Sequence, residues 1–143
     1  ASLAGAQRLC DDEADVVVCW TGGWHHAARD KAAGFCYVND VVLAIQRLKP
    51  RFERVMYIDL DIHHGDGVEA GFVASRQVLT LSVHLEEPGF FPGTGGRSHQ
   101  GLGRGEGYAF NVPLRRHAGD TSYVPLVTDI AVMLKDAFQP KAV

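Results

Sequence analysis

The segment RVMYIDLDIHHGDG, residues 54–67, constrains the fold more than any other stretch of the chain. It opens as an apolar strand and then places three acids and two histidines within the eight positions 59–66. Ionised carboxylates are not taken into a core without partners, because removing a charge from water costs more than any single contact returns. Such a strand has to end at a site, and in α/β sheets ligand sites gather outside the carboxyl ends of strands. Side chains alternate faces along an extended chain, so a strand over 54–62 that stays extended up to the Gly65 turn presents Asp59, Asp61 and His63 on one face.

Other segments supply the layers around this strand. DVVVCWT, residues 15–21, is a short apolar run ended by Gly22 and Gly23, as expected of a strand buried on both faces of a parallel sheet. Over 37–49 the period changes: Val38, Val41, Val42, Ile45 and Leu48 recur at helical spacing, Asn39, Asp40, Gln46, Arg47 and Lys49 can face away, and Pro50 is expected to end the helix. QVLTLSVH at 77–84 and YAFNVPL at 108–114 read as further strands. Between 122 and 138, Val124, Val127, Ala131, Leu134 and Phe138 trace a helical stripe, with Asp120, Thr121 or Ser122 as N-cap and Pro125 tolerable in the first turn. Strands alternating with helices imply one α/β domain, a mostly parallel sheet flanked by helices. The chain starts without Met, and after Pro140 the residues Lys141, Ala142 and Val143 look like the opening of another strand, so a fragment is expected.

Charge and cysteine content exclude several classes of function. A net charge of -3 with scattered Lys and Arg offers no nucleic-acid groove, so no direct nucleic-acid binding is expected. Cys10, Cys19 and Cys36 are odd in number and lack C-x-x-C spacing, which argues against a disulfide framework or a cysteine zinc site and for a reducing compartment. No apolar run approaches the roughly 18 residues of a membrane span, so no membrane association is expected. GLGRGEG, 101–107, precedes a strand instead of opening a helix, so its glycines serve turns and not a phosphate.

Two carboxylates with an imidazole and no thiolate suit a divalent ion such as zinc or ferrous iron, and a catalytic site keeps about three protein ligands, so only some of these residues ligate. His25 and His26 follow CWTGGW and reach the same sheet edge. Neutral imidazoles beside a metal-bound water serve as general base and acid when buried carboxylates fix their tautomers, and Asp59 and Asp66 are the candidate carboxylates.

GGWHHA, GFCYVNDVVLAI, YIDLDIHHGDGVE and PGFFPGTG, in this order, resemble the zinc-dependent histone deacetylases over nearly the whole chain, and EEPGFFPG with FPGTGGRSHQGLGRGEGYAFNVPL resembles class I, above all the branch of the eighth isoform. The resemblance implies a three-layer arginase/deacetylase-like fold, incomplete here, with residues 1–143 as the central part of a single catalytic domain. It implies hydrolysis of N6-acetyl-lysine to lysine and acetate, with Asp61 and His63 as zinc ligands, His26 as general base and acid, and His25 as its partner. It pairs His25 with Asp59 and His26 with Asp66, and makes Gly34, Phe35 and Phe91 walls of the tunnel for the acyl-lysine stem. It further implies a potassium ion at Asp59, Asp61, His63, Ser82 and Val83 and a second at Phe72, Ser75, Val78 and Tyr108. Acetylated histone tails, other acetyl-lysine proteins and co-repressor proteins are the implied partners, the nucleus and also the cytoplasm the implied locations, and transcriptional repression the implied role. The family's third zinc ligand and its oxyanion tyrosine fall after Val143, and its acidic rim residue falls before Ala1, so the chain alone is expected to be inactive. Leu85 and Gly96 depart from that branch, which usually carries lysine and aspartate there; both are expected on surface loops. Two alternatives stand beside this reading: an amidohydrolase of acetylpolyamines or other small amides, and a non-catalytic fragment that only binds partners.

Overall fold

A computed structural model describes residues 1–143. The element order is α1 (Ser2–Cys10), α2 (Asp40–Phe52), β1 (Val55–Asp59), α3 (Asp66–Phe72), β2 (Val78–Leu85), β3 (Ala109–Leu114) and α4 (Asp120–Phe138), with one 3₁₀ turn at Gly103–Gly105. The strands form a parallel sheet in the order β1-β2-β3. Its register pairs Val55 with Val78, Asp59 with Ser82, Ser82 with Asn111 and Leu85 with Leu114.

Two apolar clusters lie on opposite faces of this sheet. Ala6 and Cys10 of α1, Ile45 and Leu48 of α2, and Val68 and Phe72 of α3 pack with Val55 and Val78. On the other face, Leu134 and Phe138 of α4 pack with Met56, Leu79, Leu81 and Val83. Strand alternation produces the division: consecutive residues such as Val55 and Met56, or Val78 and Leu79, go to different clusters. Full burial of side chains this size contributes about 1.5–3 kcal/mol each, which fixes α4 on one face and α1, α2 and α3 on the other. The layers are those expected of an α/β fold with a parallel sheet, and the sheet is a small one.

Several expectations are corrected. Residues 15–21 form no strand: Val17 and Cys19 face Gly5 of α1, while Val16 and Val18 are exposed. The free edge of β1 is faced by residue 142 instead, through the Val55–Ala142 bridge and a Met56 N–H to Ala142 carbonyl bond of 2.9 Å. That places the chain end at the sheet, as its strand-like residues suggested. The α2 helix begins at Asp40, so Val38 lies outside it and is exposed, and it runs past Pro50 to Phe52, because proline in the last turn sacrifices only its own N–H bond. The N-cap of α4 is Gly119 and no side chain caps it, and Val124 of the expected stripe is exposed. Leu85 is the last residue of β2, paired with Leu114, and not a loop residue.

Candidate functional site

The β1 strand stops at Asp59, short of the expected 62, and the reason lies in its own acids. Asp59 Oδ1 accepts the N–H of Asp61 at 3.0 Å, and Asp61 Oδ1 accepts the N–H of His63 at 2.8 Å. Two successive side chain–backbone bonds give the chain an alternative to the ladder and turn it out of the sheet. Asp59, Asp61 and His63 are therefore not equivalent positions on one strand face: Asp59 is buried, while the side chains of Asp61 and His63 are 49% and 35% exposed.

Around this turn the histidines are held by carboxylates. His25 Nδ1 lies 2.6 Å from Asp59 Oδ2, and His26 Nδ1 lies 2.6 Å from Asp66 Oδ1. Each Nδ1–H donates to its carboxylate, so Nε2 is the free ring nitrogen. Tyr57 donates its hydroxyl to the same Asp59 Oδ2 at 2.5 Å. Burial alone would push the His25 pKa down, but the hydrogen bond and charge of Asp59, with Asp61 and Asp66 beyond it, raise it on balance. Burial likewise opposes the charge on Asp59, yet the bonds from His25 and Tyr57 hold its carboxyl below the usual range. Burial and then the Asp59 charge keep the Tyr57 phenol protonated by pushing its pKa upward.

The rings of His25 and His26 are 3.9 Å apart, His26 meets Phe91 edge-on at 4.8 Å, and His63 stacks on Phe90 at 5.0 Å. His25, His26, Gly34, Asp61, His63 and Phe91 line a cavity of about 520 Å³, with Phe35 at its rim. Phe35 itself is 92% exposed, so it forms a lip and not a packed wall. A larger concavity, about 1110 Å³, lies along residues 85–94 and 113–116 and contains none of these histidines; chemistry selects the smaller one.

Asp61 Oδ1 and His63 Nδ1 are 3.0 Å apart, and His25 Nε2 lies 3.9 Å from the same carboxylate oxygen. A carboxylate and an imidazole this close fit as two ligands of one divalent ion. No group of three or more His, Cys, Asp or Glu side chains converges on a common point. Among the positions expected at potassium, Asp59 and Ser82 are direct neighbours in the ladder, and the Ile62 carbonyl between Asp61 and His63 accepts from Leu85 N–H, two residues past Val83. At the second, Ser75 N–H donates to the Phe72 carbonyl and Thr80 N–H to the Tyr108 carbonyl, while Val78 packs with Phe72.

Sequence reasoning missed a buried polar group behind the site. Gly65 N–H donates to Ser82 Oγ at 3.3 Å, and Ser82 Oγ meets His84 Nδ1 at 3.0 Å. His84 Nε2–H donates in turn to the Gly95 carbonyl at 3.0 Å. His64 meets Glu69 Oε2 at 3.1 Å and Thr94 Oγ1 at 2.8 Å. Burial and then the neighbouring His64 push the His84 pKa down, which suits a neutral ring accepting at Nδ1. These bonds fasten residues 94–95, close behind Phe91, to the sheet. The available signal was the alternation Thr80, Ser82, His84 in a strand whose other positions are apolar.

Two carboxylate-held imidazoles thus lie beside a carboxylate and an imidazole close enough to share a cation. The whole chain, residues 1–143, matches the histone deacetylase domain, and the chain belongs to that family. It is 48% identical over 143 residues to histone deacetylase 8 of Danio rerio and 46% identical to histone deacetylase 8 of Xenopus laevis. Over 142 residues it is 46% identical to histone deacetylase 1 of Homo sapiens. These matches cover 99–100% of this chain but 38%, 44% and 29% of those relatives, so the chain spans less than half their length. No helix is long and apolar enough to cross a membrane.

Proposed function

We propose that residues 1–143 are the central part of a single catalytic domain that hydrolyses N6-acetyl-lysine in histones and other proteins to lysine and acetate. The observation that carries this reading is the pair of 2.6 Å histidine–carboxylate bonds facing one cavity beside Asp61 and His63. Asp61 and His63 would hold a zinc ion, which when bound would polarise the amide carbonyl and acidify the attacking water. His26, its Nδ1 tied to Asp66, accepts the water proton at Nε2 and later gives a proton to the departing lysine nitrogen as the C–N bond breaks. His25, with its pKa raised by Asp59, carries positive charge more readily and stabilises negative charge developing on the substrate. Gly34 leaves the cavity floor open beside His26, and Phe91 with the Phe35 lip gives the apolar lysine stem a surface that excludes water.

The same reading extends to potassium at the two sets of residues named above, to acetylated histone tails and co-repressor proteins as partners, and to a nuclear and also cytoplasmic location. The relatives' names, histone deacetylase 8 and 1, support the acetylated-histone part of this reading alone. The test is acetyl-lysine peptide hydrolysis by the full-length protein, run beside an acetylpolyamine. His26→Ala should lower kcat by roughly 10²-fold or more with zinc content unchanged. Full activity in that variant, or turnover of the polyamine alone, would overturn the assignment.

A further inference from the structure

Asn39 and Asp40 open the α2 helix, and helical spacing alone would leave both as solvated polar positions. The structure puts them to another use. Asn39 Oδ1 accepts the N–H of Val42 at 3.0 Å, which caps the helix. Its Nδ2 donates to the carbonyls of His25 at 3.1 Å and Ala27 at 3.0 Å, the two residues that flank His26. Asp40 accepts the N–H of Trp24 at 2.8 Å and of Gly23 at 3.1 Å, with the Ser2 hydroxyl on the same carboxylate. From the opposite side Gly67 closes the junction: a Cβ there would lie 2.5 Å from the His25 carbonyl, 2.6 Å from that of Ala27 and 2.9 Å from Asn39 Nδ2. Gly67 follows Asp66, the partner of the His26 ring.

We propose that Asn39, assisted by Asp40, is a positioning residue: the start of α2 grips the backbone of residues 23–27 while the start of α3 grips the His26 ring, and together they set where Nε2 points. The inference rests on the reading of His26 as the proton carrier. Only an amide serves position 39 in full, because it needs one acceptor for the cap and two donors for the carbonyls. Serine keeps the cap but is too short for the carbonyls. Aspartate keeps the cap but turns an oxygen toward two other oxygens. Neither change touches the cavity, Asp61 or His63, so what they alter is the aim of His26 and not the binding of substrate or metal. A misplacement of the order of 1 Å at a reacting group can cost about 100-fold in rate.

The test compares Asn39→Ser and Asn39→Asp with wild type in the full-length protein. Expected for both is a kcat lowered about tenfold or more, KM within about twofold, and unchanged zinc content. The ring N–H proton resonance of the His26–Asp66 bond, assigned with His26→Ala, should shift or broaden in both. A fall in melting temperature with kcat per folded molecule unchanged would reduce Asn39 to a helix cap and overturn the proposal. If the wild-type protein hydrolyses no acetyl-lysine peptide, the proposed function fails on its own account. The resonance still decides the clamp: displaced in both variants it stands, unmoved it falls.

Discussion

Replacing Gly95 with alanine strikes the connection between the sheet and the loop that carries Phe91. Gly95 has a φ of +89°, and a Cβ there would lie 2.5 Å from His84 Nε2 and 2.6 Å from His64 Cγ. Neither ring can yield, since His64 and His84 are 1% and 2% exposed and each is bonded at both nitrogens. Three costs add. A left-handed backbone costs a residue with a Cβ about 1–2 kcal/mol. Overpacking two rigid rings costs about 1–3 kcal/mol. Breaking the His84 bond to the Gly95 carbonyl leaves a buried N–H without an acceptor, about 1–3 kcal/mol. The sum is roughly 3–8 kcal/mol, and at about 2–4 °C per kcal/mol for a larger domain the melting temperature should fall by at least about 6 °C. Gly89→Ala is the control, because Gly89 has a φ of +77° but nothing within 4 Å of its would-be Cβ, so it carries the backbone cost alone. Differential scanning calorimetry of both variants in the full-length protein separates the contributions. A Gly95→Ala melting temperature no lower than that of Gly89→Ala would show that the rings move freely and that the buried network does not fasten this loop.

Three further outcomes are expected. Tyr57→Phe removes a hydroxyl that donates to a buried carboxylate and should destabilise by about 1.5–3 kcal/mol, read as a shift in the denaturant midpoint at constant slope. Phe91→Ala should raise KM for an acetyl-lysine peptide more than it lowers kcat, since the ring lines the cavity and stacks edge-on to His26 without bonding it; an unchanged KM would remove its wall role. Asp40 is held below the usual carboxylate range because, although burial opposes its charge, bonds from Ser2, Trp24 and Gly23 outweigh it. A depressed folded pKa contributes stability above the unfolded value and loses it as pH falls through the folded one. Melting temperature should therefore drop on acidification below about pH 4, and less steeply in Asp40→Asn than in wild type.

The candidate site residues were legible because their types are costly anywhere else. Acids inside YIDLDI and adjacent histidines after a glycine pair announce a site, and His25–Asp59 and His26–Asp66 meet as paired from the resemblance. The geometry between them was less legible. Strand periodicity extended β1 to residue 62, whereas each aspartate side chain captures the N–H two residues on and bends the chain away. Apolarity made 15–21 a strand, but pairing depends on which segment reaches the β1 edge, and Ala142 reaches it. Asn39 and Asp40 were invisible as clamps, since helical periodicity reports only which way a side chain faces and nothing about distant peptide groups. α1 was missed because its buried side is made of Gly5, Ala6 and Cys10, residues too small to give a strong apolar stripe.

The sheet itself explains how one short chain accommodates both a core and a polar site. Along β2 the odd positions Leu79, Leu81 and Val83 stay apolar and pack in one cluster with Leu134 and Phe138 of α4. The even positions change character: Val78 joins the core under α1, α2 and α3, then Thr80, Ser82 and His84 follow as buried polar groups. On β1 the same face runs Val55, Tyr57, Asp59. The transition from core to site therefore happens within one face of two adjacent strands, over about three residue pairs, while the other face supplies uninterrupted apolar burial. Most of these buried polar groups find a partner on their own strand or on a loop: Tyr57 with Asp59, Ser82 with Gly65, His84 with Gly95. The rings of His25 and His26 are thus held by hydrogen bonds to carboxylates, next to a sheet whose opposite face carries the hydrophobic stabilisation.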